Sequence, residues 1–456
     1  IRDRMESADM LEKPSMRGVQ RSVVDKYSDQ AHFIYELLQN ADDVKATSAR
    51  FRLEKDGLFF THNGSVGFTV SNPQSEDGDT NSGALGHINS ITSIANSNKT
   101  ETSIGKFGVG FKAVFQYTQT PHIYDPNIRF KIERFIVPQR LDSDLDSRKS
   151  SETTFFFPFD HKGKQPQECH DEILKKLKAL EFPVLFLSTL KSVSFEAEEV
   201  TGKYSKKVTR ELEQGDITAK WLTLALELNS GRTAHRLLVF SLNSTSGHPC
   251  SIGYALSKDG RLAPIDRPAF CFFPTKEVTN LNFILHAPFL LTDSREGIKA
   301  GEKHNRELCQ QLAQLAADSL PILRDEKLID DGILEIIPYD EARFSGLDDR
   351  SKLSFKPFCT AIKDKLQADR LLPAANGEGS TKSRSYWASD TELVELLSDK
   401  QLEQLTGTKH ACWVFRSRGK KEVQNGNKAL ADYIDGGDAR TWPRKDPNLI
   451  ISSLDP

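Results

Sequence analysis

The chain has 456 residues, room for two to four domains at about 150 residues each. Charged residues make up 27 % and hydrophobic ones 38 %, a balance that excludes wholesale disorder. With 61 Lys+Arg against 64 Asp+Glu the formal net charge is −3, so no bulk attraction to nucleic acid or an anionic membrane is expected, and such binding would need a local patch.

The N-terminal Ile1-Arg2-Asp3-Arg4 is charged and lacks both an initiator Met and an apolar signal core, which predicts a cytoplasmic protein or an excerpt of one. Residues 28–44 carry a helical pattern; 49–54 and 58–62 read as strands joined by a tight turn at Asp56-Gly57. Residues 71–104 are poor in large apolar groups and rich in Ser, Asn, Gly and Thr, which predicts a mobile segment. Gly105-Lys106-Phe107-Gly108-Val109-Gly110 then leads into a helix from about Phe111 to Tyr117, followed by strands at 129–137 and 153–159. The polar stretch 161–170 is read as a domain boundary, dividing a first domain, 1–165, from a second, 166–330. Beyond it come a short helix, 172–180, and strands at 192–196, 221–228, 236–242, 270–273 and 283–289. Leu308, Leu312, Leu315, Ala316 and Leu323 repeat at helical spacing and close the second region. Residues 331–456 read as an additional, incomplete α-rich segment, with helical patterning at Phe355, Phe358, Ile362 and Leu366.

The longest apolar runs, Phe182 to Leu190 and Leu281 to Leu291, are about half the roughly 20 residues that would cross a bilayer. No membrane partner is expected. The six cysteines form no C-x-x-C pair, so reduced thiols are the plain reading; Cys169-His170 and His248/Cys250 supply at most half a metal site. Trp413-Val-Phe415-Arg416-Ser-Arg418-Gly-Lys420-Lys421 mixes aromatics with positive charge. Such a stretch can bind nucleic acid, although a solvated loop explains it more simply.

Three segments could carry chemistry. In Glu36-Leu-Leu-Gln-Asn40-Ala-Asp42-Asp43, at about 100° per residue, Glu36, Asn40 and Asp43 fall within roughly 60° of one another beside the apolar stripe Phe33, Leu37, Ala41 and Val44. Glu and Asn one turn apart could supply a general base for water and an oxygen ligand for Mg²⁺; a solvated helix face is the bland alternative. In Gly105-x-x-Gly108-x-Gly110-Phe111-Lys112, glycines would let backbone N–H groups approach phosphate and the following helix would present its positive end. No P-loop run occurs, and no βαβ strand precedes the cluster. The third segment is His62-Asn63-Gly64-x-x-Gly67-Phe68-Thr69, for which a turn is the bland reading.

In this order and spacing the chain resembles the GHKL (Bergerat-fold) group of ATPases, which includes gyrase, the ninety-kilodalton heat-shock chaperones, histidine kinases and mismatch-repair proteins. Glu36 to Asp43 match the N box, His62-Asn-Gly64 to Gly67 the first glycine box, and Ile104-Gly-Lys-Phe-Gly-Val-Gly-Phe111 the second. Gln39-Asn-Ala-Asp-Asp43 with Gly105 to Phe115 looks most like the sacsin-type branch. The resemblance implies an α/β (α+β) sandwich, helices over a mixed sheet, then a middle or transducer domain.

It implies ATP and Mg²⁺ as cofactors, with Glu36 activating water, Asn40 binding the metal, and Asp43 supporting the base or the sugar side. Gly105, Lys106, Gly108, Val109, Gly110 and Phe111 would surround the terminal phosphate, with Ser97 and Lys99 in a lid and Thr153 near adenine. Where many members place an Asp to accept the adenine amino proton, this sequence has His62; a neutral His nitrogen or the Asn63 amide oxygen could accept instead. Gly64 and Gly67 would shape the same turn. Phe283-Ile-Leu-His-Ala-Pro-Phe289 followed by Leu291-Thr-Asp-Ser-Arg295-Glu296 resembles the chaperone middle-domain segment, which implies that Arg295 reaches the terminal phosphate.

The expected function is Mg²⁺-dependent ATP hydrolysis driving lid and domain closure in a chaperone-like or clamp-like protein. The expected partners are adenine nucleotide and a client or effector carried beyond residue 456; dimerisation is common in the wider group. The alternative is a nucleotide-gated sensor with little hydrolysis, of which an antiviral defence role in a large bacterial relative is one form. A histidine kinase is disfavoured, because no phosphoacceptor helix with a His-Glu pair precedes the N box.

Overall fold

The computed structural model describes residues 2–16, 33–72, 85–93, 110–146, 148–242, 249–292, 294–344, 352–388, 391–414, 428–435 and 441–442, with residues 18, 75 and 79 between them. In the larger of two sheets the strands in chain order are β1 Ser48–Glu54, β2 Gly57–His62, β3 His122–Tyr124, β4 Arg129–Glu133, β5 Val137–Arg140, β6 Thr153–Pro158, β7 Ser192–Ala197, β8 Val200–Gln214, β9 Ile217–Leu228, β10 Gly231–Leu242, β11 Cys250–Leu256, β12 Leu262–Ala263, β13 Phe270–Cys271, β14 Phe273–Pro274 and β15 Ile284–His286. They form one 15-stranded sheet in the order β14-β13-β15-β11-β10-β9-β8-β7-β1-β2-β6-β3-β4-β5, with β12 beside β11. The sheet is mostly antiparallel; β1 pairs β7 in parallel, and β13 pairs β15 in parallel. The helices are α1 Arg2–Leu11, α2 Phe33–Asp43, α3 His87–Ile91, α4 Pro166–Lys178, α5 Lys303–Asp325, α6 Ile333–Ile336, α7 Lys356–Ala368, α8 Thr391–Leu396, α9 Asp399–Thr406 and α10 Lys428–Asp435. The architecture is mixed α/β of the α+β kind. Among the described residues no helix is long and apolar enough to cross a membrane.

Two buried clusters sit on this sheet. The first gathers α2, β1, β2, β4, β6, β7, α4 and Val184 to Leu190; the second gathers β9 to β11, β15, α5, α6 and α7. Neither sheet nor core breaks at 161–170, because α4 buries Cys169, Ile173 and Leu177 in the first cluster and β7 pairs with β1. Within the second cluster Phe283 meets Phe358 at 5.8 Å between ring centroids, so the segment beyond 331 shares a core with the second region.

Several local expectations needed correction. The β1–β2 turn is Lys55-Asp56, with Gly57 already paired to Glu54; a Cβ on Gly57 would press on the Phe156 ring, which is why glycine suits the position. The expected strand 129–137 is a hairpin whose loop puts Arg134 and Phe135 at φ 50° and 73°. Phe135 packs on Phe115 at 4.6 Å, and Arg134 pairs with Asp9 of α1 and with Glu12 just beyond it, so tertiary contacts offset the cost of this left-handed backbone. The helix after the glycine cluster is a six-residue 3₁₀ helix, Phe111–Gln116. Trp413 is buried with its Nε1 donating to Leu397 O at 2.9 Å, and so is no open stacking platform; residues 415–421 lie outside the described residues. All six cysteines are free, and among the described residues no group of three or more His, Cys, Asp or Glu could hold a metal ion.

Candidate functional site

Helix α2 positions the first candidate residues. It ends in a Schellman arrangement: Lys45 takes φ 65°, its N–H donates to Asp42 O, and Ala46 N–H donates to Ala41 O. Nearly the whole helix is buried, Glu36 included, while Asn40 and Asp43 are half-buried. A solvated face is therefore excluded for Glu36. Its carboxylate lies against Gly110, where any Cβ would collide with it, and it is ion-paired with Arg295 of the second region. Arg295 itself sits at φ 58°, in a loop closed by the Leu291–Ile298 bridge and by Arg295 N–H to Thr292 O at 2.8 Å. Asn305 on α5 ties the loop down, donating to Leu290 O and Lys299 O and accepting from Leu290 N–H. Arg295, expected to reach a terminal phosphate, is thus in contact with the candidate base.

The neighbouring aspartates divide in a way that spacing alone did not reveal. Asp42, fully buried, accepts from the backbone N–H groups of Ser188, Thr189 and Leu190 at 2.9, 2.7 and 2.7 Å and from Thr189 Oγ1 at 2.9 Å. Three amides and a hydroxyl satisfy a buried carboxylate that would otherwise be very costly. From the other side Lys206 of β8 donates to Leu185 O and Leu187 O, and burial pushes its amine down to about 8 although the charge of Asp42 opposes the shift. The loop 185–190 is thereby held between an acid on α2 and an amine on the central sheet.

At the other end of β2, the two proposed adenine acceptors already have partners. His62 Nδ1 accepts from Gly64 N–H at 3.1 Å, which leaves the ring proton on Nε2, so the remaining ring nitrogen is a donor. Burial lowers its pKa to about 4, against the opposing charge of Asp125, so the ring is neutral at pH 7. Asn63 Oδ1 accepts from Thr47 N–H and Ser48 N–H, and its Nδ2 donates to Thr47 Oγ1; both oxygen lone pairs are spent on the start of β1. Thr153, directly opposite His62 in the ladder, donates to Asp125 Oδ2 at 2.7 Å. Asp125 Oδ1 also accepts from Phe68 N–H and Asn127 N–H. Asp125 was missed by sequence reasoning; its signal was the Asp-Pro-Asn turn, in which an Asp side chain commonly bonds two residues ahead. Gly64 and Gly67 have structural reasons to be glycine, since a Cβ would strike Val44 at one and Asn127 at the other.

Of the second glycine segment, Gly110 and Phe111 are described; Ser97, Lys99, Gly105, Lys106, Gly108 and Val109 lie outside the described residues. Phe111 is a core side chain, 6.0 and 6.2 Å from the rings of Phe155 and Phe157. Lys112 points the same way: it is fully buried, donates to Phe135 O at 2.6 Å and sits 4.6 Å from that ring. Burial, then the charge of Arg4, lowers it to about 7. A 3₁₀ helix of six residues, about two turns, after Gly110 also supplies less of the dipole that a longer α-helix would present.

No family profile matches the chain. Protein NO VEIN of Arabidopsis thaliana is 26 % identical over 345 residues, covering 67 % of this chain and 12 % of that protein. The chain therefore spans about an eighth of the length of the curated relative it resembles.

Proposed function

We propose that this chain is a GHKL-type nucleotide-binding unit of the sacsin kind, in which ATP lies between α2 and the Gly110 segment and Glu36 orients the attacking water. One observation carries the reading. Three segments picked separately from the sequence, the acidic-amide helix, the end of the second glycine cluster and Arg295, meet at one buried carboxylate although Arg295 is 259 positions from Glu36. A buried acid in contact with a backbone glycine and a guanidinium on a strained loop suits a catalytic centre better than a solvated face. Asn40, one turn on and half-buried, offers the amide oxygen that a Mg²⁺–nucleotide complex needs from the protein, since Mg²⁺ keeps most of its waters and takes substrate phosphates as its other ligands. The bound metal would neutralise phosphate charge. With His62 a donor and Asn63 engaged, Asp125 Oδ2, which among the described residues accepts from Thr153 alone, is the acceptor we assign to an adenine amino group.

Binding and hydrolysis would open and close the contact between α2 and the 291–298 loop, in a chaperone-like or clamp-like cycle. The same ion pair favours a second reading, a nucleotide-gated sensor, because a carboxylate held by Arg295 is not available as a base until that arginine leaves. Phosphate release and ATP binding measured on wild type, Glu36→Gln and Arg295→Ala separate them. In the hydrolytic reading E36Q binds ATP without hydrolysing it and R295A loses turnover more than affinity; in the gated reading R295A raises turnover above wild type. Unchanged turnover in E36Q would remove Glu36 from the mechanism.

A further inference from the structure

On the far side of the 180–190 loop lies a cleft of about 190 Å³ that the proposed nucleotide site does not use. Phe182, Val184, Leu224 and Leu226 form its apolar wall, and His235 and Arg267 its polar one. Arg267 is the unusual member. Its Nε is buried and without a hydrogen-bond partner, Nη1 donates to the backbone oxygen of the adjacent Asp266 at 2.7 Å, and the guanidinium lies 5.7 Å from the Phe182 ring. Among the described residues no carboxylate pairs with it: Glu181, also lining the cleft, is exposed and makes no ion pair there.

A ligand carboxylate in the cleft would supply the charge-assisted partner that no described carboxylate gives this guanidinium. Phe182 holds φ 45° and meets the His235 ring edge-on at 5.2 Å, so the apolar wall is built partly from strained backbone. Burial, then the Arg267 charge, pushes His235 below its ordinary value, leaving Arg267 as the cation that faces the cleft. The volume equals roughly six water-sized spaces, which suits one flat ring bearing a carboxylate.

We propose that this cleft binds a small amphipathic carboxylate, its flat apolar part against Phe182, Leu224 and Leu226 and its carboxylate on Arg267. The floor of the cleft is the loop whose other end is clamped by Asp42 of α2, so an occupant would press on the helix that carries Glu36. The proposal does not depend on nucleotide binding. Its test is calorimetric titration of the full chain with phenylacetate and with neutral, similarly shaped phenylacetamide. Phenylacetate should bind saturably near the millimolar range expected for so few atoms, and phenylacetamide at least about tenfold more weakly, as loss of a charge-assisted contact requires. Arg267→Gln should bring phenylacetate down to the level of the amide while leaving the circular dichroism spectrum unchanged. N-acetyl-glycyl-phenylalanine distinguishes the sources: tighter binding than phenylacetate points to a peptide C-terminus, weaker binding to a free small acid. Equal affinity for phenylacetate and phenylacetamide, or no saturable binding of phenylacetate, overturns the proposal, and neither result needs a variant that folds.

Discussion

Replacing Arg295 with Ala leaves the Glu36 side chain, 4 % exposed, facing the space that a guanidinium filled. Removing one member of a buried pair costs about 3–5 kcal/mol. Because the Arg295 side chain is 22 % exposed, solvent screening brings the expectation for R295A to about 2–3 kcal/mol. Glu36→Gln should cost less, about 1 kcal/mol, since the arginine left behind can turn toward water. The double variant spares the buried charge, so its cost should fall short of the sum by about 1–2 kcal/mol. Urea unfolding of the four proteins gives the cycle, and hydrogen exchange at the α2 amides and the 291–298 loop localises the loss. Costs that add to within about 0.5 kcal/mol would refute a coupling between the two segments at this contact.

Asp42→Asn places an amide among three N–H donors and a hydroxyl; a loss of about 3 kcal/mol in urea unfolding is expected, and a loss below about 1 kcal/mol would deny the clamp between α2 and 188–190. Lys112 has a folded pKa near 7 against an ordinary 10.5, so between those values the unfolded chain binds more protons and stability rises with pH, by up to about 1.4 kcal/mol per unit. Lys112→Met should flatten that rise between pH 7.5 and about pH 9, and identical slopes in the two proteins would contradict a buried amine. His62, at about 4 against 6.5, also binds more protons when unfolded, so its contribution is present above pH 6.5 and lost toward pH 4, about 3 kcal/mol in all. His62→Gln keeps an acceptor for Gly64 N–H and should unfold at lower pH than wild type in an acid titration; an unchanged acid midpoint would place the imidazole in solvent.

Local pattern made α2, β1, β2 and α5 legible, because each pairs its apolar residues with a period that one buried face enforces. It failed where neighbours decide. Strand β8 carries Lys203, Lys206, Lys207, Arg210, Glu211 and Glu213 and reads as a solvated run; pairing with β7 on one edge and β9 on the other makes it a strand. The hairpin loop at 134–136 has no Gly or Asn to announce it, since Phe115 and α1 hold its backbone. Within the site, residue types at helical spacing located Glu36 and Asn40, but the partners of Asp42 lie about 146 positions on, invisible to any local window. Arg295 was singled out by resemblance, and its actual contact depended on how the two cores pack. The partners of His62 and Asn63 come from one hairpin end, yet their hydrogen bonds turn on ring tautomer and lone-pair count, which composition does not encode.

The central claim is tested most directly by titrating Mg·ATP calorimetrically into wild type and E36Q, with phosphate release followed in parallel. Saturable one-to-one heat in both proteins, and release of phosphate by wild type alone, is the predicted result. No heat in either protein, or phosphate released equally by both, would contradict it.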